Sequence, residues 1–520
     1  MKQYINKIKW FRNAALILSV LVLSVSCEDI LDEQPISEIS PANFWQNNSD
    51  ALAGIIGVYD GMQPAYRQNH FLWGDFRSDS HRLSESGAAS LDVIELVQQN
   101  ITPGNQTVLR WDDLYELINR ANQAIKYIPT IPNYDENLLA EAYALRAFSY
   151  FNAIRVWGAV PLNTEPTESI LDLQKQRTPA ATILNDVIIP DMLKAEELMA
   201  IPNSKFRFSE ASILCLQAEV YMWEKEYDKA KVALDKMMAL GGYSLVTSVQ
   251  AWEDLFYNTP QSPDTPDGRG KIQTGPELIF SIRFDLAEVQ GNPGPGNGID
   301  NRSGVFGLYF AGIPSVNISK TLEAKWQERF PIDSIGWVTK YPNVAPAVTL
   351  PTGTVYGDWR YFLSREGGYE NNIPNARIAK WAKSNFSPAF DDTDIVIYRY
   401  AGMLLLLAEA ENQINEDGVR ALELVNQLRT ARKLPNVTME EFGATKEERE
   451  DYILDERQFE LLGEGKRWWD LRRTDKALEV LNPILDSLGS PPLTTDRLLF
   501  PIYFEHLVEN PNLLPQNTGY

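Results

Sequence analysis

The sequence predicts a mainly α protein, a tetratricopeptide-like scaffold of stacked helix pairs that carries a loop-rich, partly irregular portion. Three observations lead there. Between Leu214 and Met237, the residues Ala218, Tyr221, Tyr227, Ala230 and Leu234 take the small, aromatic and small positions of a tetratricopeptide repeat. Ala218 and Ala230 let two antiparallel helices approach closely, while Tyr221 and Leu234 fill the remaining gaps. A second copy spans Tyr398 to Arg429, with Ala408 and Ala421 in the corresponding small positions. Between these copies the texture changes: T-P-Q-S-P-D-T-P-D-G-R-G and Q-G-N-P-G-P-G-N-G-I-D-N are turn-rich, with short apolar runs such as E-L-I-F-S-I-R-F between them.

In chain order, residues 1–26 have the make-up of a secretory signal. Lys2, Lys7, Lys9 and Arg12 precede an apolar run from Ala14 to Ser26, and no acidic residue occurs before Glu28. The run falls short of the roughly 18 apolar residues that cross a bilayer. It ends on Cys27, as in a bacterial lipoprotein signal, so Cys27 is the expected lipidation site. The third position before the cysteine is Ser24, where an apolar residue is commoner. Residues 27–42 are acidic and proline-punctuated, an extended tether.

Residues 43–255 form the N-terminal helical part. Ser49 or Asp50 is the expected cap of a first helix, followed by helices over Trp111–Ile128 and Ala140–Trp157. Gly158 and Pro161 stop the latter, and Thr182–Met199 is its plausible partner. One pair cannot bury its apolar face alone, so the pairs stack. Residues 256–397 make up the loop-rich part, whose many aromatics argue against simple disorder. Residues 398–520 complete the scaffold.

Composition narrows the function classes. The formal net charge is −22 with no basic block, which argues against a nucleic-acid interface and against electrostatic docking to anionic lipid. With Cys27 lipidated, Cys215 is the one cysteine left, a small core residue in a helical pattern. His70, His81 and His506 share no spacing motif, so neither a metal site nor any other cofactor is expected. No nucleophile elbow, zinc-protease motif or phosphate loop is present, which argues against an enzyme.

Ligand-binding candidates come from two places. Trp73, Asp75, Arg77 and Asp79, in W-G-D-F-R-S-D, combine an aromatic face with carboxylates and a guanidinium, which suits a sugar ring and its hydroxyls. The alternative is an internal ion-pair network that pins this loop to the scaffold. Loops carry binding residues more often than scaffold helices do, which favours recognition. The following loop, His81–Asn105, is a possible pocket wall. In the loop-rich part the candidates are Tyr309, Trp326, Trp337 and Tyr356, although for any one taken singly core packing is the better reading. Trp337 leads, because it sits beside a glycine and in no apolar run. Asp358 and Arg360 of G-D-W-R suit an internal pair. Glu456, Glu460 and Glu464, spaced to align on one helix face, are expected to be structural, with Arg457 or Arg467 supplying the counter-charge.

Several segments together resemble the SusD/RagB family of nutrient-binding outer-membrane lipoproteins. They include C-E-D-I-L-D, L-W-G-D-F-R-S-D, A-L-R-A-F-S-Y-F-N-A-I-R-V-W-G-A-V-P-L, E-R-Q-F-E-L-L-G-E-G-K-R-W-W-D-L-R-R and the terminal N-P-N-L-L-P-Q-N-T-G-Y. The resemblance implies four tetratricopeptide-like helix pairs under a variable loop-rich part. It also implies a partner, a TonB-dependent outer-membrane barrel of the SusC type, on which the protein sits as a hinged cap. The ligand would be an oligo- or polysaccharide, or peptides as in the RagB branch. A triacylated Cys27 followed by Glu28, Asp29, Asp32 and Glu33 would place the chain on the exterior face of the outer membrane. A surface glycoside hydrolase and a protein-interaction scaffold without small ligands are the rival readings.

Overall fold

The computed structural model describes residues 44–84, 89–169, 173–256, 273–285, 304–305, 308–309, 315–330, 358–366, 376–381 and 393–520. Cys27, Trp337 and Tyr356 lie outside them, as does most of the loop-rich part.

The principal helices are α1 (Asn48–Tyr66), α2 (Asp112–Tyr127), α3 (Glu136–Trp157), α4 (Ile189–Leu198), α5 (Glu210–Trp223) and α6 (Tyr227–Ala239). After the loop-rich part come α7 (Tyr400–Ile414), α8 (Val419–Ala431), α9 (Lys446–Glu460), α10 (Arg467–Arg473) and α11 (Ala477–Ser487). Among the described residues α1 pairs with α2, α3 with α4, α5 with α6 and α7 with α8. Each pair also packs on the next, α6 against α7 included, so the four make one continuous stack. Four helix pairs are therefore present, as the sequence leads one to expect.

Small side chains set the spacing. Ala218 and Ala230 face the α5–α6 contact, Ala408 and Ala421 the α7–α8 contact, and all four are fully buried. Cys215 is buried on α5 as a core residue. Helix α3 is buried on nearly every side from Leu138 to Trp157, the mark of a central helix rather than an amphipathic one. It ends where Gly158 takes φ +75°, a turn that favours glycine.

Two boundaries differ from expectation. The cap of α1 is Asn47, not Ser49 or Asp50: its Oδ1 accepts from the N–H groups of Ser49 and Asp50, and Asp50 Oδ2 accepts in return from the Asn47 N–H. Helix α9 stops at Glu460, so Glu464 stands on the turn beyond it, where Gly463 and Gly465 both have positive φ.

The loop-rich excursion leaves and re-enters the scaffold through one two-stranded antiparallel sheet. Strand β1 (Leu278–Ile282) pairs with β2 (Ile395–Arg399), with Leu278 opposite Arg399 and Ile282 opposite Ile395. Most β1 and β2 residues are apolar and all are buried, as suits strands covered on both faces. A shorter ladder, His81–Leu83 with Val316–Ile318, ties the excursion to the N-terminal part. Among the described residues of the expected loop His81–Asn105 are a short strand (His81–Leu83) and a helix (Leu91–Val97).

Candidate functional site

Two of the sequence's most distinctive motifs, nearly 400 residues apart, meet in a single knot. Gly74 lies against Gly465 so closely that a Cβ at position 74 would sit 2.0 Å from the Gly465 carbonyl oxygen. That approach aims Asp75 at the turn after α9. Asp75 Oδ2 accepts from the Gly465 N–H at 2.8 Å and Oδ1 from the Arg467 N–H at 3.3 Å. Asp79 takes the Arg467 guanidinium in two bonds of 2.8 and 3.0 Å. Arg77 lies over the Trp468 ring at 4.4 Å and donates to Gln99 and to the Arg497 and Leu498 carbonyls. Trp73 donates from Nε1 to the Val108 carbonyl and packs edge-on against Trp157.

This corrects the expectation of a ligand platform at Trp73, Asp75, Arg77 and Asp79. All four are buried, at 4% exposure or less, and their polar atoms are spent on the protein itself. The alternative, a network that pins the segment to the scaffold, is what the geometry contains. Electrostatics separates the two aspartates. Burial raises Asp75 to about 7, against its two backbone hydrogen bonds. Burial also pushes Asp79 upward, but the charge and hydrogen bonds of Arg467, with Lys325 and Gln458, together outweigh it and hold Asp79 at about 2.

A second buried network absorbs the carboxylates of the α9 region. Glu460 accepts from Arg399, Arg432 and Arg360 at 2.7, 2.8 and 2.8 Å. Glu456 pairs with Arg360 and Arg429, and Glu464 with Arg399 and Lys380. Glu277 joins Arg399 to Arg432, and Asp358 pairs with Arg360 as expected. The structural role stands, yet the counter-charges are not Arg457 or Arg467. Those two turn to Asp470 and Asp79 instead. Through Asp358, Arg360 and Lys380 the network binds the loop-rich part to the helical stack.

Trp326 and Tyr309 are core residues as well, so of their two readings the structure holds core packing and not the ligand platform. Trp326 donates from Nε1 to Asp358 at 2.9 Å and packs on Phe459 and Tyr361. Tyr309 lies beneath the knot, with ring contacts to Phe71, Phe76 and His81. Among the described residues no group of three or more His, Cys, Asp or Glu is arranged to hold a metal ion. None of the described helices is long and apolar enough to cross a membrane.

Among the described residues an open cleft lies elsewhere. A cleft of about 800 Å³ is bounded by Trp111, Tyr115 and Asn119 of the α2 region, by Pro161, Asn163 and Thr167, and by His506, Asn510 and Leu513 near the C-terminus. Its walls are preformed. The Trp111 and His506 rings are parallel within 4° at 4.8 Å, and Tyr115 donates to the Pro161 carbonyl at 2.6 Å. The Trp111 N–H donates to His506 Nε2, and burial keeps that imidazole below its ordinary pKa, hence neutral. Sequence reasoning missed this site. Its local signal was Trp111 and Tyr115 four residues apart, two aromatics on one face of a helix start.

Comparisons with known proteins agree with this architecture. A model of the SusD family matches residues 353–520, and one described as starch-binding associating with outer membrane matches residues 29–222. The SusD-like protein P38 of Formosa agariphila is 43% identical over 530 residues, covering 98% of this chain and 100% of the relative. Among solved structures, a SusD superfamily protein from Bacteroides thetaiotaomicron VPI-5482 aligns with TM-score 0.68 at 20% identity, over 91% of this chain and 99% of that one. A laminarin-binding SusD-like protein aligns with TM-score 0.66 at 21% identity, over 92% of this chain and 100% of that one.

Proposed function

Because the chain belongs to the SusD family, we propose that it is a non-catalytic outer-membrane lipoprotein that captures an oligo- or polysaccharide and delivers it to a TonB-dependent barrel of the SusC type. The observation that carries this is the 43% identity to a SusD-like protein over essentially the whole of both chains. The outer-membrane family model supports the location, and the laminarin-binding relative of the same fold supports a glycan as cargo. Capture without catalysis fits the fate of the carboxylates: Glu456, Glu460 and Glu464 are buried in arginine pairs, with no room for a scissile bond. Anchoring is assigned to lipid on Cys27, facing the cell exterior. Trp337 and Tyr356 remain the loop-borne aromatics proposed for the binding platform.

The test is calorimetric titration of the full chain in detergent against neutral glycans, anionic glycans and peptides. Glycan binding with no change in oligosaccharide length is the expected result. Binding of peptides alone would transfer the chain to the peptide-uptake branch, and shortened oligosaccharides would make it a hydrolase.

A further inference from the structure

We propose that the cleft between the start of α2, the Pro161–Thr167 segment and the C-terminal His506–Leu513 segment is a second saccharide-binding site, selective for uncharged sugars. This rests on the glycan-capture reading above but places ligand in a cleft whose lining, among the described residues, lies outside the loop-rich part.

The volume of about 800 Å³ lies within the range of built ligand sites. Tyr115, Pro161, Leu173 and Leu513 supply the apolar walls on which the C–H face of a pyranose rests. Two amides supply the polar contacts. Asn119 Oδ1 accepts from the Thr167 N–H at 2.8 Å, which holds the side chain and leaves Nδ2 as a donor. The Asn163 backbone is clamped, its N–H donating to Tyr150 Oη and its carbonyl accepting from Tyr150 and Asn122. Its side-chain Oδ1 is buried and receives no hydrogen bond among the described residues. The side-chain amides of Asn119 and Asn163, both lining a single cleft, suit neighbouring sugar hydroxyls, each of which both donates and accepts.

Charge sets the selectivity. Asp112 and the exposed Glu509 are the carboxylates of the lining; Arg110 is engaged by Asp112 at 2.9 Å, and His506 is neutral. A uronate or sulfate entering there would meet the Glu509 carboxylate, with no free cation from the lining to receive it. The site is also rigid, resting on α2 and on a C-terminal tail that Asn517 fastens to the Trp157 and Phe500 carbonyls.

Hydrogen-exchange mass spectrometry on the full chain in detergent tests the proposal. The probes are hexamers of neutral gluco-, galacto-, manno- and xylo-oligosaccharides, with oligogalacturonate as the anionic comparison. At least one neutral series should protect residues 111–119 and 506–513. The concentration for half-protection should rise tenfold or more in Asn119→Ala, and likewise in Leu173→Arg, a change at a 57% exposed surface position. Protection confined to other segments would overturn this site while leaving glycan capture intact. No binding anywhere would overturn both. Stronger protection by oligogalacturonate would refute the charge selectivity.

Discussion

Asp75 and Asp79 stand four residues apart and are pushed in opposite directions, because one meets backbone N–H groups and the other a guanidinium. With its folded value raised from 3.8 to about 7, Asp75 favours the folded state most below 3.8, and that contribution is lost as pH rises through 7. Asp79, held at about 2, contributes above 3.8 and loses its contribution as pH falls toward 2. Asp75→Asn is therefore expected to flatten the stability–pH curve between about pH 4 and 7. Asp79→Ala leaves Arg467 buried without its partner and should cost about 3–5 kcal/mol at pH 7. Urea midpoints across pH measure both; an Asp79→Ala chain as stable as its parent would remove the ion pair from the account.

At the scale of elements, the fold depends on where the loop-rich excursion is fastened. Strands β1 and β2 close its base, and the Glu460 network holds Asp358, Arg360 and Lys380 onto the ends of α7, α8 and α9. Glu460→Ala would leave three guanidiniums sharing fewer buried carboxylates. The expected loss is about 3–5 kcal/mol, with hydrogen exchange accelerating in residues 358–366 and 376–381 before the helix pairs open. Exchange that rises uniformly over the stack would mean the network does not fasten the excursion in particular. The helices themselves were legible in the sequence, since apolar spacing and paired alanines are local signals. The end of α9 was not, and Glu464 was set on a helix face that stops at Glu460.

For the whole molecule, the question is how an acidic chain stays at a membrane. A formal charge of −22 offers anionic lipid no attraction, so the proposed attachment is through acyl chains on Cys27. Two or more chains, at about 0.8 kcal/mol per buried CH₂, hold stably where one holds marginally. Cys27→Ala should abolish retention at the outer membrane in cell fractionation, while the purified variant keeps its stability and its glycan affinity. Retention of that variant would require a different anchor.

By itself the sequence determined the helix pairs and the family, because each rests on local spacing or on motifs that need no partner, and it supplied the anchor as a proposal. Only the tertiary structure decided what the charged motifs do. Asp79 in a short loop looks the same whether it faces a sugar or Arg467, and that choice is made by a residue 388 positions away. The open cleft escaped local reading for the same reason. Its walls come from three distant segments, and neither Tyr115, Asn163 nor His506 signals alone that the others will meet it.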